Sequence, residues 1–251
     1  MKTIPFSYNG YQSMIDCLQT AGYFFSDYHN YENHPKSVIL RHDIDNSIEK
    51  AIKLAELEAE LGVKSTYFVL VTSDFYNPFS KQSLEGLHRI QNLGHEIGLH
   101  FDEMAYEEGI DIPTAIVKEA NLLSSALNCP ITTVSMHRPS KATLDASYEI
   151  PGIINSYGKI FFKDFKYISD SRRRWREPAL DIIRSGEYKR LHILTHAIWY
   201  NEEEESIHDT IKKFICSANK ERYYQEKENI KDIESILDID DLLSVERNNH
   251  S

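Results

Sequence analysis

The chain has 251 residues and 41% apolar residues, enough for one large α/β domain with a substantial buried core. Its net charge of −11 excludes a surface built to neutralise nucleic-acid phosphates, which needs a basic face. Cys17, Cys129 and Cys216 are scattered, odd in number and without CxxC spacing, so the sequence predicts neither a disulfide framework nor a cysteine-zinc site.

The N-terminal stretch lacks an apolar leader, and no apolar run is long enough to span a membrane, so a cytoplasmic protein with no membrane span is expected. Residues 1 to 35 are rich in Tyr and Phe and predict a helix through Tyr11–Leu18 ending at Gly22, as a lid or packing layer. The apolar run Ser37–Leu40 then closes on Arg41-His42-Asp43-Ile44-Asp45. A helical pattern follows from Ile48 to Leu61, and the β-forming run Ser65–Val71 completes a βαβ unit.

The rhythm repeats. A helix over about 81–93 stops at Gly94 and leads into His95–Asp102; Pro113 opens a helix to Leu127, and Ile131–Met136 is a strand ending at His137-Arg138-Pro139. Residues 148–175 are irregular, with β-like pieces at Ile160–Phe162 and Lys166–Ile168. Pro178 starts a helix closed by Gly186, and Leu191–His196 is the last clear strand. The acidic run Glu202–Glu205 precedes a charged amphipathic helix predicted over about 206–247, so the expected organisation is a single domain over 1–251 with helical segments at both ends.

Strands alternating with helices, each strand ending in Asp, His or Arg, predict a (β/α) barrel with its site on the carboxyl face; a doubly wound open sheet is the alternative. No GxGxxG or GxxxxGK[ST] follows a strand, so no dinucleotide or P-loop function is indicated. The strand ends supply Asp43, Asp45, His100, Asp102, His137, Arg138, Asp170 and His196. Two His and a carboxylate around an open position hold catalytic Zn²⁺, with a spare carboxylate as base and a spare His as acid. This is a kit for hydrolysing an amide or ester. His42, His95 and His192 read as structural histidines.

Taken in order, five segments resemble the motifs of the polysaccharide deacetylases, relatives of the chitooligosaccharide deacetylases in carbohydrate esterase family four. Arg41–Asp45 is similar to the family's TFDDG, Gly94–His100 to its GHEIGxH, His137-Arg138-Pro139 to its Arg-Pro segment, Asp170 to Trp175 to its Asp-Trp segment, and Leu191–His196 to its last apolar run ending in His. The resemblance implies a distorted TIM-like (β/α)7 barrel of the α/β class and a metal-dependent N-deacetylase. It makes Asp43 the general base, Asp45 and His100 metal ligands, Arg138 the group that orients Asp43, Asp170 the residue that tunes His196, and His196 the general acid. Trp175 and Leu194 would line the acetyl pocket.

The sequence departs from the family twice. The adjacent Asp-Asp pair is spread to Asp43-Ile44-Asp45, which puts both carboxylates on one strand face, and the family's second metal His is replaced by Met104. His137 is the expected third ligand and Asp102 the reserve. Zn²⁺, or another divalent metal, is the implied cofactor. The implied substrate is an N-acetylated sugar, free or on a nucleotide or lipid carrier, in cell-surface polysaccharide synthesis of the O-antigen or capsule type. Arg172 and its neighbours Arg173 and Arg174 read equally as a solvated run or as a site for an anionic carrier. A hydrolase of a non-sugar amide and a glycan-binding barrel without turnover are the other function classes that fit.

Overall fold

The structure, a computed structural model, describes residues 3–239. In chain order the first 204 residues form α1 (Tyr8–Thr20), β1 (Phe24–Ser26), β2 (Ser37–Ile44), α2 (Ile48–Glu60), β3 (Thr66–Leu70), α3 (Lys81–Asn92), β4 (Glu96–Asp102) and α4 (Ile112–Leu127). They continue as β5 (Thr133–His137), α5 (Lys141–Ala146), β6 (Ile154–Asn155), α6 (Lys159–Lys163), β7 (Lys166–Ser169), α7 (Ala179–Ser185) and β8 (Arg190–Thr195). All pairings between these strands are parallel, in the order β6-β5-β4-β3-β2-β8-β7, with the short β1 added beside β2. Among the described residues β6 and β7 do not pair. The result is the distorted, open (β/α)7 barrel.

The helices begin where local chemistry dictates. Ser47, Ser80 and Ser140 each cap a helix by accepting a hydrogen bond from the backbone N–H three residues on, at Lys50, Ser83 and Thr143. α1 is a packing layer: Tyr11, Met14, Ile15 and Leu18 are fully buried on one face.

Strand alternation separates two cores. The larger lies between sheet and helices and takes Val38, Leu40 and Ile44 from β2, Tyr67 and Val69 from β3, and Ile97, Leu99 and Phe101 from β4. The smaller fills the lumen with Tyr28, Tyr31, Ile39, Phe68, Phe161 and Phe165. Gly98 faces this lumen because a Cβ there would sit 2.6 Å from both the Phe68 ring and Thr133 Oγ1.

Two sequence expectations change here. Ile160–Phe162, predicted as a β-like piece, is the helix α6: Phe161 and Phe165, four apart, both enter the lumen core, while Ile160 and Phe162 remain exposed. The capping Ser140 with the short α5, and the two-residue β6, were not legible as elements.

By contact the chain divides into Met1–Glu204 and Glu205–Ser251. In the second unit α8 (Ile207–Asn229) is capped by Ser206 and ends at the extended Ile230, and α9 (Ile233–Ile236) follows. The helix predicted over 206–247 is therefore broken at Ile230, and its part beyond 239 lies outside the described residues. Among the described residues no helix is long and apolar enough to cross a membrane.

On the helix side of the sheet, Glu58 of α2 is a fully buried carboxylate. Tyr11 Oη donates to its Oε1 at 2.5 Å, and Ser65 Oγ and Tyr67 Oη donate to its Oε2 at 2.6 and 2.8 Å. His42 Nε2 lies 2.9 Å from Oε1, and His95 stands beside it. Burial alone would raise the Glu58 pKa, but His42, His95 and Ser65 outweigh it and hold it at about 2, below the ordinary 4.5. Its stabilisation is complete above about pH 4.5 and is lost as pH falls toward 2. Urea midpoints measured across that range are expected to fall steeply in the wild type. Glu58→Gln should flatten the acid dependence and lower stability at pH 7.

Candidate active site at the carboxyl edge of the barrel

β2 is buried along its whole length, and its alternation aims Ile39, Arg41 and Asp43 into the lumen. Asp45, just beyond the strand, keeps that parity. His100 of β4, His137 of β5, and His196 after β8 arrive at the same level from neighbouring strands.

Three ligand atoms converge. His100 Nε2 is 3.2 Å from Asp45 Oδ1, His137 Nδ1 is 3.4 Å from the same oxygen, and the two ring nitrogens are 3.1 Å apart. Zinc–ligand bonds of about 2.1 Å in a tetrahedron place ligand atoms about 3.4 Å from one another, so the spacing suits a small divalent cation. Asp45 Oδ1 is sealed from solvent, and the His100 and His137 nitrogens beside it do not meet it in hydrogen-bonding geometry. His100 Nδ1 lies 3.3 Å from the Ser135 carbonyl; donation there leaves Nε2 as the lone-pair nitrogen facing Asp45. The donor set and the orphaned oxygen fit a metal. Burial would raise the Asp45 pKa, but His100 and His137 beside it hold it well below the usual carboxylate range.

Asp43 lies next to this cluster, 3.5 Å from His100 Nε2. Arg41 grips both its oxygens, Nε to Oδ1 at 3.2 Å and Nη2 to Oδ2 at 2.7 Å. The same guanidinium donates to Ser135 Oγ and Ser156 Oγ and lies over the rings of Phe68 and Tyr157. Burial works to raise the Asp43 pKa; Arg41, then His100 and His196, overcome it and keep the group ionised.

At the end of β8, the strand beside β2, His196 Nδ1 is 2.6 Å from Asp170 Oδ1, and Asp170 Oδ2 accepts from the His196 backbone N–H at 3.1 Å and from Tyr200 Oη at 3.2 Å. His196 Nε2 points the other way, 3.7 Å from Asp45 Oδ2. Burial would lower the His196 pKa, yet Asp170, Asp45 and Asp43 raise it to about 9.

Two expected roles are corrected. Arg138 does not orient Asp43: its φ of 48° turns the chain away from strand geometry, and its side chain, 66% exposed, donates to Asp102 Oδ2 at 2.5 Å. Arg41 occupies that place instead. Asp102, the reserve ligand, is committed elsewhere, since its Oδ1 caps the turn at Met104 N (3.0 Å) and Oδ2 holds Arg138. The missed signal was strand parity, which sets Arg41 and Asp43 on one face.

Leu194 is buried on the lumen side of β8, paired in register with Arg41. Trp175 is 9% exposed and stacks on Phe6 at 6.3 Å, so the N-terminal segment covers one of its faces. Arg172 and Arg174 are exposed, while the Arg173 guanidinium lies over the Phe6 ring. Met104 is 69% exposed. His42 and His95 belong to the Glu58 network behind the sheet, and His192 bonds Tyr28 Oη in the lower lumen.

No protein-family profile and no curated protein sequence matches the chain. Solved structures similar to it include a family 4 carbohydrate esterase (CE4) pseudoenzyme from Bacillus anthracis, with 15% identity over 72% of this chain and 62% of that one, TM-score 0.45. A family 4 carbohydrate esterase from the same organism has 18% identity over 81% of this chain and 86% of that one, TM-score 0.44. A polysaccharide deacetylase from Bacillus cereus has 14% identity over 69% and 93%, TM-score 0.42. The chain thus spans less than two thirds of the pseudoenzyme's length. These likenesses are of overall form, and the residue roles rest on the geometry above.

The two arginines should separate in a stability measurement. Arg41→Met leaves Asp43 buried and unpaired and is expected to cost about 3–5 kcal/mol in urea denaturation. Arg138→Ala removes a pair in which only the arginine is exposed, and should cost about 1–3 kcal/mol, less than Arg41→Met.

Proposed function

We propose that this protein is a metal-dependent hydrolase that removes the N-acetyl group from a sugar. The observation that carries the reading is the convergence of Asp45 Oδ1, His100 Nε2 and His137 Nδ1, with the Asp43 carboxylate and His196 Nε2 beside them. Asp45, His100 and His137 would hold Zn²⁺ or another divalent cation, which supplies Lewis acidity that lowers the pKa of water from ~15.7 to roughly 7 and polarises a carbonyl.

The chain's own residues divide the proton transfers. Asp43, oriented by Arg41, accepts the proton of the attacking water. His196, held through Nδ1 by Asp170, presents Nε2 to the departing nitrogen and donates to it; with its pKa near 9 it carries that proton at neutral pH. Acetate and a free amino sugar leave. Leu194 supplies an apolar wall for the acetyl methyl, with Trp175 as its proposed companion.

The substrate proposed is one of cell-surface polysaccharide synthesis, and the exposed Arg172 and Arg174, which follow β7, would suit the phosphates of a nucleotide or lipid carrier. Cys17, Cys129 and Cys216 are free thiols, which fits a reducing compartment.

Elemental analysis of the purified protein is expected to find about one zinc per chain, lost in His137→Ala; full metal retention in that variant would remove His137 from the ligand set. On the same samples, acetate release from UDP-N-acetylglucosamine and from N-acetylglucosamine oligomers should drop about 10²–10⁴-fold in Asp43→Asn and in His196→Ala, with zinc retained. Undiminished release in either variant would overturn its assigned role.

A further inference from the structure

We infer that Thr195 and His42, anchored by Glu58, form a positioning clasp that sets the separation of Asp43 and His196 from behind the sheet. His42 Nδ1 lies 2.6 Å from Thr195 Oγ1, and His42 Nε2 lies 2.9 Å from Glu58 Oε1. None of the three is more than 1% exposed, so no substrate, metal or solvent reaches them.

Their place in the sheet gives the clasp its function. His42 and Thr195 are register partners, and theirs is the last rung of the β2–β8 ladder. Beyond it β2 continues into Asp43 and β8 into His196, with no cross-strand pairing between them. Side chains alternate along a strand, so His42 and Asp43 point to opposite sides of one backbone, and Thr195 and His196 to opposite sides of the other. A bond tying His42 to Thr195 on the outer side therefore fixes the angle at which the two strands part on the inner side. That angle sets how far the base stands from the acid.

Glu58 makes the clasp rigid. Its carboxylate is already held by Tyr11, Ser65 and Tyr67, from α1, the approach to β3, and β3 itself, so the imidazole it orients cannot rotate freely. The clasp thus refers the position of His196 to α2, the helix that directly follows Asp45. Base, metal ligand and acid share one frame. A displacement of about 1 Å in such a frame can cost ~10²-fold in rate.

The inference rests on the proposed roles of Asp43 and His196, and its test separates the two. In the zinc-loaded protein, Thr195→Val removes the hydroxyl at nearly constant shape. Its kcat for acetate release is expected to fall by about 10-fold or more, with KM and zinc stoichiometry unchanged, and Thr195→Ser should restore it. Tyr106→Phe removes a hydroxyl from Glu119, a buried carboxylate of α4 outside the clasp; it should lower the melting temperature without moving kcat. A Thr195→Val kcat within about twofold of wild type, or an equal fall in Tyr106→Phe, would overturn the clasp. A second readout needs no turnover: the downfield imidazole proton of His196 on Asp170, followed by NMR in the metal-free protein, should shift in Thr195→Val and hold still in Tyr106→Phe. If the wild type releases no acetate, the hydrolase reading fails, and this resonance alone decides the clasp: an unmoved signal in Thr195→Val rejects it.

Discussion

A charged pair buried at the centre of the barrel, Arg41 with Asp43, conditions everything at the carboxyl edge. Neither group reaches solvent appreciably, and a lone charge there would carry a desolvation cost of several kcal/mol. The pair is tolerated because each partner is satisfied: two bonds join them, Ser135 and Ser156 take further guanidinium protons, and Phe68 and Tyr157 cover its faces. The consequence reaches Asp45. Two carboxylates two residues apart on one face would ordinarily force one of them to hold a proton. With Arg41 beneath one and His100 and His137 beside the other, both stay ionised.

β2 is unusual in carrying polar chemistry on both faces while being buried on both. Inside it presents Arg41 and Asp43; outside, His42 meets the Glu58 cluster within an otherwise apolar layer. The two networks meet through the β2 and β8 backbones and through the Tyr11 ring, which stands edge-on to that of Tyr200 at 5.3 Å. His196 is held in the same spirit. Asp170 bonds both its ring and its backbone, and Tyr200 in turn bonds Asp170, which leaves Nε2 the free end of the arrangement.

Much of this was legible before any coordinates. Gly94 marked the end of α3, apolar periodicity separated strands from helices, and the polar residues closing each strand located the site's edge. Three of the residues so marked, Asp45, His100 and His137, do meet within ligand distance. His137, expected in place of the missing second His, lies with Thr133 and Ser135 on the face of β5 opposite Val134 and Met136. The stretch after β5 was less readable. α6 consists of residues with strand propensity and is helical because its Phe161, with Phe165 just beyond it, fills the lumen where β6 and β7 fail to pair.

The sequence by itself determined which side chains share a strand face and where each strand stops, because those follow from a period of two and from local capping chemistry. Only the tertiary structure decided which of them meet. Arg138 and Arg41 are both arginines close to catalytic-looking residues, and spacing does not rank them. The choice came from a positive φ at Arg138 that swings its side chain to Asp102, and from the β2–β5 arrangement that surrounds Arg41 with Asp43 and Ser135. The tie between His42, Thr195 and Glu58 is likewise invisible in one dimension, since it depends on strand register and on the packing of a helix turn against that rung.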